Sequence, residues 1–240
     1  MKRAFAYKDE KSHKFWWIEY SGTDYAVNYG KWGATGKFEV KDEFDNEQEC
    51  SKAAEKLIAS KIKKGYVELP DFDYVSRIYI DDEEVGLHRM TSHPNFRMHF
   101  TEEFYYDCGD EEAPFGSDEG NDTLAYICED IRKKGKLVFS DYPRFIIENY
   151  WELNYIPALD LSPETVKKLE EKCEMDMTQS DMVTYAVAFG QIKVTGKVNR
   201  ELKLLALNAI HRLHMVWSEG KESEIGSRMI FDLESFKIYD

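Results

Sequence analysis

Residues 15 to 20 carry a period-2 pattern in which Phe15, Trp17 and Glu19 fall on one side and Trp16, Ile18 and Tyr20 on the other. Alternation rich in aromatic and β-branched side chains predicts a strand. Residues 3 to 8 predict a shorter strand before it, with Phe5 and Tyr7 sharing a face. Ser21-Gly22-Thr23-Asp24 is turn chemistry, and Tyr25, Val27 and Tyr29 continue a second long strand. A third follows, with Phe38 and Val40 pointing one way and Lys37, Glu39 and Lys41 the other. The period then changes. Asp45 or Asn46 can cap a helix whose Cys50, Ala53, Ala54, Leu57, Ile58 and Ile62 form one apolar stripe. Lys61, Lys63 and Lys64 fill its last turn, where cations meet the negative end of the helix dipole, and Gly65 ends it.

Leu69-Pro70-Asp71 marks the expected boundary. Beyond it, Arg77 to Ile80 and Phe96 to Phe100 read as strands, and then helical periods take over. Helices are predicted from about Thr123 to Lys134, from Asp141 to Trp151, from Ser162-Pro163, and from Ser180 through Phe189. Asn199 caps the most apolar helix, carrying Leu202, Leu205, Ala206, Ala209, Leu213 and Val216, and a last helix runs from Glu222 to Phe236. The fold class is therefore α+β. Residues 1–69 form a small antiparallel sheet with one covering helix, and residues 70–240 a mainly α-helical acidic domain with a few short strands.

Tyr29-Gly30-Lys31-Trp32-Gly33-Ala34-Thr35-Gly36 stands out because three glycines within seven residues hold an aromatic and two cations beside a backbone excursion. The stretch resembles the WGR domain signature W-G-R-x-G-x-x-G. Tyr29 stands for the tryptophan, Lys31 for the arginine, and Gly30, Gly33 and Gly36 for the glycines. Ser12-His13-Lys14-Phe15-Trp16 is similar to the family's S-N-K-F-W strand, with His13 in place of asparagine, and Ala53 to Tyr66 to its helix. The resemblance covers residues 1 to 69, and the overall layout is similar to a group of uncharacterised bacterial WGR proteins. In the eukaryotic poly(ADP-ribose) polymerases this domain binds DNA ends. The resemblance thus implies Tyr29 as a stacking surface, Lys31 as a phosphate cation and His13 as a polar contact. Lys37 joins them by its place just after Gly36. Lysine lacks arginine's bidentate fork, so the implied complex is weak and salt-sensitive. In the polymerases the same module also makes protein contacts between subdomains, so the resemblance leaves a protein ligand open beside nucleic acid.

Charge divides the chain. Up to Pro70 there are 13 Lys+Arg against 12 Asp+Glu, and the remainder carries 19 against 34, giving +1 and −15 within the overall −14. Polyanions are therefore expected only at the first third. Between Thr101 and Ile131 lie eleven acids and no Lys or Arg. Glu111, Glu112, Asp118 and Glu119 are the candidate surface for a basic protein partner, as in an inhibitor or immunity-type protein. Helix N-termini also favour acids, which is the plainer reading of Asp118 and Glu119. No phosphate loop, dinucleotide fingerprint or nucleophile motif accompanies these carboxylates, so the case for an enzyme is weak, with no catalytic residues and no cofactor to name. His211 and His214 are three apart on one helix but lack a third ligand, and no metal is expected. Cys50, Cys108, Cys128 and Cys173 are far apart, in keeping with reduced thiols. No apolar run approaches the ~20 residues of a membrane span. The basic start lacks an apolar stretch behind it, so a cytoplasmic location is expected. Oligomeric state is not legible.

Overall fold

The computed structural model describes residues 1–42, 44–217 and 223–240. The chain divides into two compact units, Met1–His93 and Pro94–Asp240.

The first unit is a five-stranded antiparallel sheet in the order β4-β3-β2-β1-β5. Its members are β1 (Lys2–Lys8), β2 (His13–Ser21), β3 (Asp24–Lys31), β4 (Lys37–Lys41) and, after helix α1 (Glu47–Lys63), the two-residue β5 (Val67–Glu68). The predicted period-2 alternation sets the faces. Trp16, Ile18, Tyr20 and Val27 pack with Phe5 against Cys50, Ala54 and Ile58 of α1. Phe15, Trp17, Ala26 and Phe38 point to the opposite side. That side is covered too, by chain that follows the predicted boundary: Tyr79 and Met90 complete its core, with Leu69, Phe72 and Tyr74 packed against it. Because both faces are buried, residues 15–18 are all apolar and all buried. The unit therefore runs to His93, whose ring Nε2 meets the Val75 carbonyl at 2.8 Å, and past Leu69. Arg77 to Ile80, expected as a strand, forms no regular element there. Asn46 caps α1 through its side chain, which accepts from the Glu49 amide at 3.0 Å, and Gly65 follows the helix end at φ +86°.

The second unit is helical. It comprises α2 (Pro94–His99), α3 (Asp118–Lys134), α4 (Tyr142–Asn149), α5 (Pro163–Thr195), α6 (Arg200–Trp217) and α7 (Glu224–Ser235). Phe96 to Phe100, read as a strand, falls instead on α2 and the residue after it. Phe96 and Phe100 stand four apart, are both fully buried, and the Phe100 amide donates to the Phe96 carbonyl at 2.8 Å. The helices expected from Ser162 and from Ser180 run together within α5 as two helices that meet at a kink at Cys173 (φ −154°, ψ 45°), so the second begins before Ser180. From Met177 to Val194 nearly every residue of α5 is buried, as in a central helix wrapped by others. Asn199 caps α6 as expected, accepting from the Glu201 and Leu202 amides at 3.0 Å. Glu222, the expected start of the last helix, lies outside the described residues, and α7 is capped by Ser223.

Several charges inside this unit are held by identifiable partners. Asp181 and Arg212, each 1% exposed, form a two-pronged pair at 2.7 and 2.8 Å, and Arg212 also donates to the Ile156 carbonyl at 2.7 Å. Asp130 accepts from Tyr142 and Lys134, and Asp232 from Tyr105 and Arg228. The Lys203 ammonium donates to the Glu234 and Phe236 carbonyls. These contacts hold helices together. No described helix is long and apolar enough to cross a membrane.

Candidate functional site

The predicted residues around the glycine-rich loop separate onto the two faces of the sheet. Register pairs Lys14 with Lys31 and Tyr29 with Lys37, and pleat alternation places all four on the side that α1 covers. His13 belongs to the other side. Its ring stacks on Trp32, with centroids 4.6 Å apart and planes 5° off parallel.

Tyr29 is only partly buried, yet its ring is engaged. It packs against the α1-side core, and its hydroxyl donates to the Glu39 carboxylate, which with burial pushes its pKa up to about 12. The exposed aromatic of the loop is instead Trp32, at 48% exposure, on the face opposite Tyr29. The glycines do structural work that the motif alone does not reveal. Gly36 sits at φ +87°, and a Cβ there would meet Asn28 Oδ1 at 2.5 Å and Phe15 Cζ at 2.7 Å. A Cβ on Gly30 would lie 3.1 Å from Gly36 Cα, so the two strands close over Phe15 only because both residues are glycine. Gly33, at φ +84°, has open space around it.

Two cations missed by sequence reasoning shape this region. Arg77 lies over the Phe15 ring at 4.2 Å and donates to the Ala34 carbonyl at 2.7 Å, tying the loop tip to the segment after β5. Burial lowers its pKa. No local signal marked it, because it acts across 43 residues of chain. Lys14 could have been found, since it stands two residues before Trp16 on the face that carries Tyr29. Lys61, at the end of α1, reaches over the rings of Trp16, Tyr66 and Tyr29 at 5.1, 5.3 and 5.9 Å. Its pKa is lowered, first by burial and then by Lys64, with Lys14 adding to it and Glu39 opposing. Lys14, Lys31, Lys37, Lys61 and Lys64 thus belong to one side of the sheet, and among the described residues none of the five makes an ion pair. Beside them a 460 Å³ groove runs between Tyr29, Glu39, Leu57, Lys61 and Asp82.

In the helical unit all four predicted carboxylates come together. Glu111, Glu112, Asp118 and Glu119 line one 420 Å³ cavity together with an apolar group, Met182, Ile210, Leu213, Met229 and Trp217, and with the polar side chains of Ser117, Tyr185 and Ser223. Glu119 accepts from Gln179 Nε2 at 2.6 Å, and the other three are exposed. His214 lines the same cavity, while His211 does not. Among the described residues no group of three or more His, Cys, Asp or Glu is arranged to hold a metal.

Residues 1–73 match the family model described as the WGR domain, in keeping with the loop, strands and helix above. The chain is 47% identical over 66 residues to the Escherichia coli protein YehF, which covers 28% of this chain and 24% of YehF. Among solved structures, a Bacteroides fragilis crystal structure is 31% identical, covers 53% of this chain and 38% of its own, and has a TM-score of 0.28, too low to define a common fold. The uncharacterised protein YfeS of Escherichia coli is 51% identical over 241 residues, 98% of each chain, so this chain belongs to the YfeS family and carries a WGR domain at its N-terminus.

Proposed function

We propose that this is a binding protein, without catalytic machinery, whose WGR domain takes the phosphate backbone of nucleic acid, at DNA ends or nicks, on the α1 side of its sheet. What supports this reading is the like-charge cross-strand pair Lys14–Lys31, with Lys37, Lys61 and Lys64 on the same side. Two lysines directly opposite each other repel and cost stability. Such a pair gains its value when an anion neutralises it. With its hydroxyl bonded to Glu39 the Tyr29 ring is engaged and is not a free stacking plate, so the lysines carry the contact. Phosphate contacts fix position and carry affinity, and three or four of them give roughly micromolar, salt-sensitive binding.

Fluorescence anisotropy of blunt and nicked duplex DNA with the full chain at low salt tests this. Binding that weakens with salt and falls about tenfold or more in Lys31→Glu is expected. No binding, or binding unchanged by that substitution, removes the reading.

A further inference from the structure

The cavity in the helical unit combines two features that would not be found together in a surface made only for solubility. Met182, Ile210, Leu213 and Met229 give it an apolar lining, and four carboxylates line it too, with His214, Tyr185, Ser117 and Ser223 between them. Asp118 and Glu119 are explained by their place in the first turn of α3, where the helix dipole favours anions. Glu111 and Glu112 are not, for they sit on a separate turn before that helix. The turn is held firmly. The Ala113 amide donates to the Asp110 carbonyl at 2.9 Å, and a Cβ on Gly116 would lie only 1.7 Å from that same oxygen. Among the described residues none of the four carboxylates has a cationic partner. This contrasts with every buried acid of the same unit. Trp217, 57% exposed, adds an aromatic wall beside them.

We propose that this cavity binds a small organic cation with an apolar body, such as an arylalkyl ammonium. The volume of 420 Å³ falls within the range of small-molecule sites, about 300–1,000 Å³. The apolar lining takes the body, the Trp217 ring offers a cation–π contact, and the carboxylates set the sign of the head group. An anionic amphiphile of the same size would meet four like charges. A bare polycation would leave the apolar lining wet. The cavity is independent of the lysines on the WGR domain, so failure of nucleic-acid binding leaves this assignment untouched.

Isothermal titration of the full chain at low salt with 3-phenylpropylamine is the test, alongside spermine, 3-phenylpropionate and a lysine-rich peptide. One-to-one binding of the amine is expected, with no heat from the propionate. Trp217→Ala and the double change Glu111→Gln with Glu112→Gln alter exposed side chains, so the fold and thermal midpoint are expected to hold. Each is expected to weaken the amine by roughly three- to tenfold. Amine binding that survives both variants overturns the proposal. So does spermine binding as tightly as the amine, which would mean a diffuse counter-ion effect. Binding of the peptide alone would assign the rim to a protein partner and overturn it as well, as would no binding of any probe.

Discussion

The buried ions of the helical unit and the lysines on the α1 side of the WGR sheet treat charge in opposite ways. In the helical unit, buried ions face partners of opposite sign or backbone carbonyls: Asp181 faces Arg212, Asp232 faces Arg228, and Lys203 meets two carbonyls. In the WGR domain, Lys14 faces Lys31 across the sheet, and Lys61 lies near Lys64 and Lys14. A paired buried charge belongs to the fold, because removing one partner strands the other in a poor solvent for ions. A set of like charges at a surface works against the fold and is useful only toward something outside it. The acid-rimmed cavity of the helical unit belongs with the lysines in this respect.

The largest expected effect comes from breaking a pair. Asp181→Ala leaves the Arg212 guanidinium buried without its carboxylate, and a loss of about 3–5 kcal/mol in urea unfolding is expected. Replacing both residues, Asp181→Leu with Arg212→Met, is expected to restore most of it. If the double variant is as unstable as the single one, the pair is not the reason for the loss.

Next in size is a test of which glycines belong to the fold. Gly36→Ala combines a positive φ with contacts of 2.5 and 2.7 Å, and a cost of about 3 kcal/mol is expected. Gly33→Ala has the positive φ alone and is expected to cost about 1 kcal/mol. Equal costs would show that the close approach over Phe15 relaxes freely.

Lys31→Glu sharpens the comparison further, because stability and affinity should move in opposite directions. Glutamate opposite Lys14 replaces repulsion with attraction, worth a few tenths of a kcal/mol up to about 1 kcal/mol of added stability. Polyanion affinity is expected to fall about tenfold or more, with a shallower salt dependence. A variant that loses both stability and affinity would make Lys31 a structural residue.

How far the sequence disclosed all this follows from the range of the contacts involved. Strands and helix of the WGR domain were readable because alternation and the apolar stripe are local, and Asn46, Asn199 and Gly65 mark ends by backbone chemistry within four residues. Phe96 and Phe100 misled, since a short aromatic run suits a strand and only burial of both rings at helical spacing decides otherwise. The start of the second half of α5 also misled, because Ser180 resembles a cap while the kink lies at Cys173 and the Ser180 hydroxyl donates to the Asp176 carbonyl inside the helix that follows it. For the site, the acids near 111–119 converged because they are close in sequence. Splitting His13 and Trp32 from Tyr29 followed from pleat parity, which was legible but competed with the motif as a single string. Arg77 depended on a contact that only the folded chain makes.

Lys61 gives the smallest and most discriminating effect. Its folded pKa is below the ordinary 10.5, first through burial and then through Lys64, so at pH values between the two the unfolded chain holds more protons than the folded one. Stability therefore rises with pH across that window, the reverse of a lysine that has gained an acidic partner. Lys61→Met is expected to flatten this rise and to change stability at neutral pH by no more than about 0.5 kcal/mol. A polyanion bound beside Lys61 favours the charged form and pushes its pKa back up, so binding in the same window takes up protons. Titrations of DNA into the chain in buffers of different ionisation enthalpy read that uptake directly. Uptake that vanishes in Lys61→Met ties the cation above Trp16 and Tyr29 to the ligand. Uptake that persists in the variant places the phosphates elsewhere on the domain.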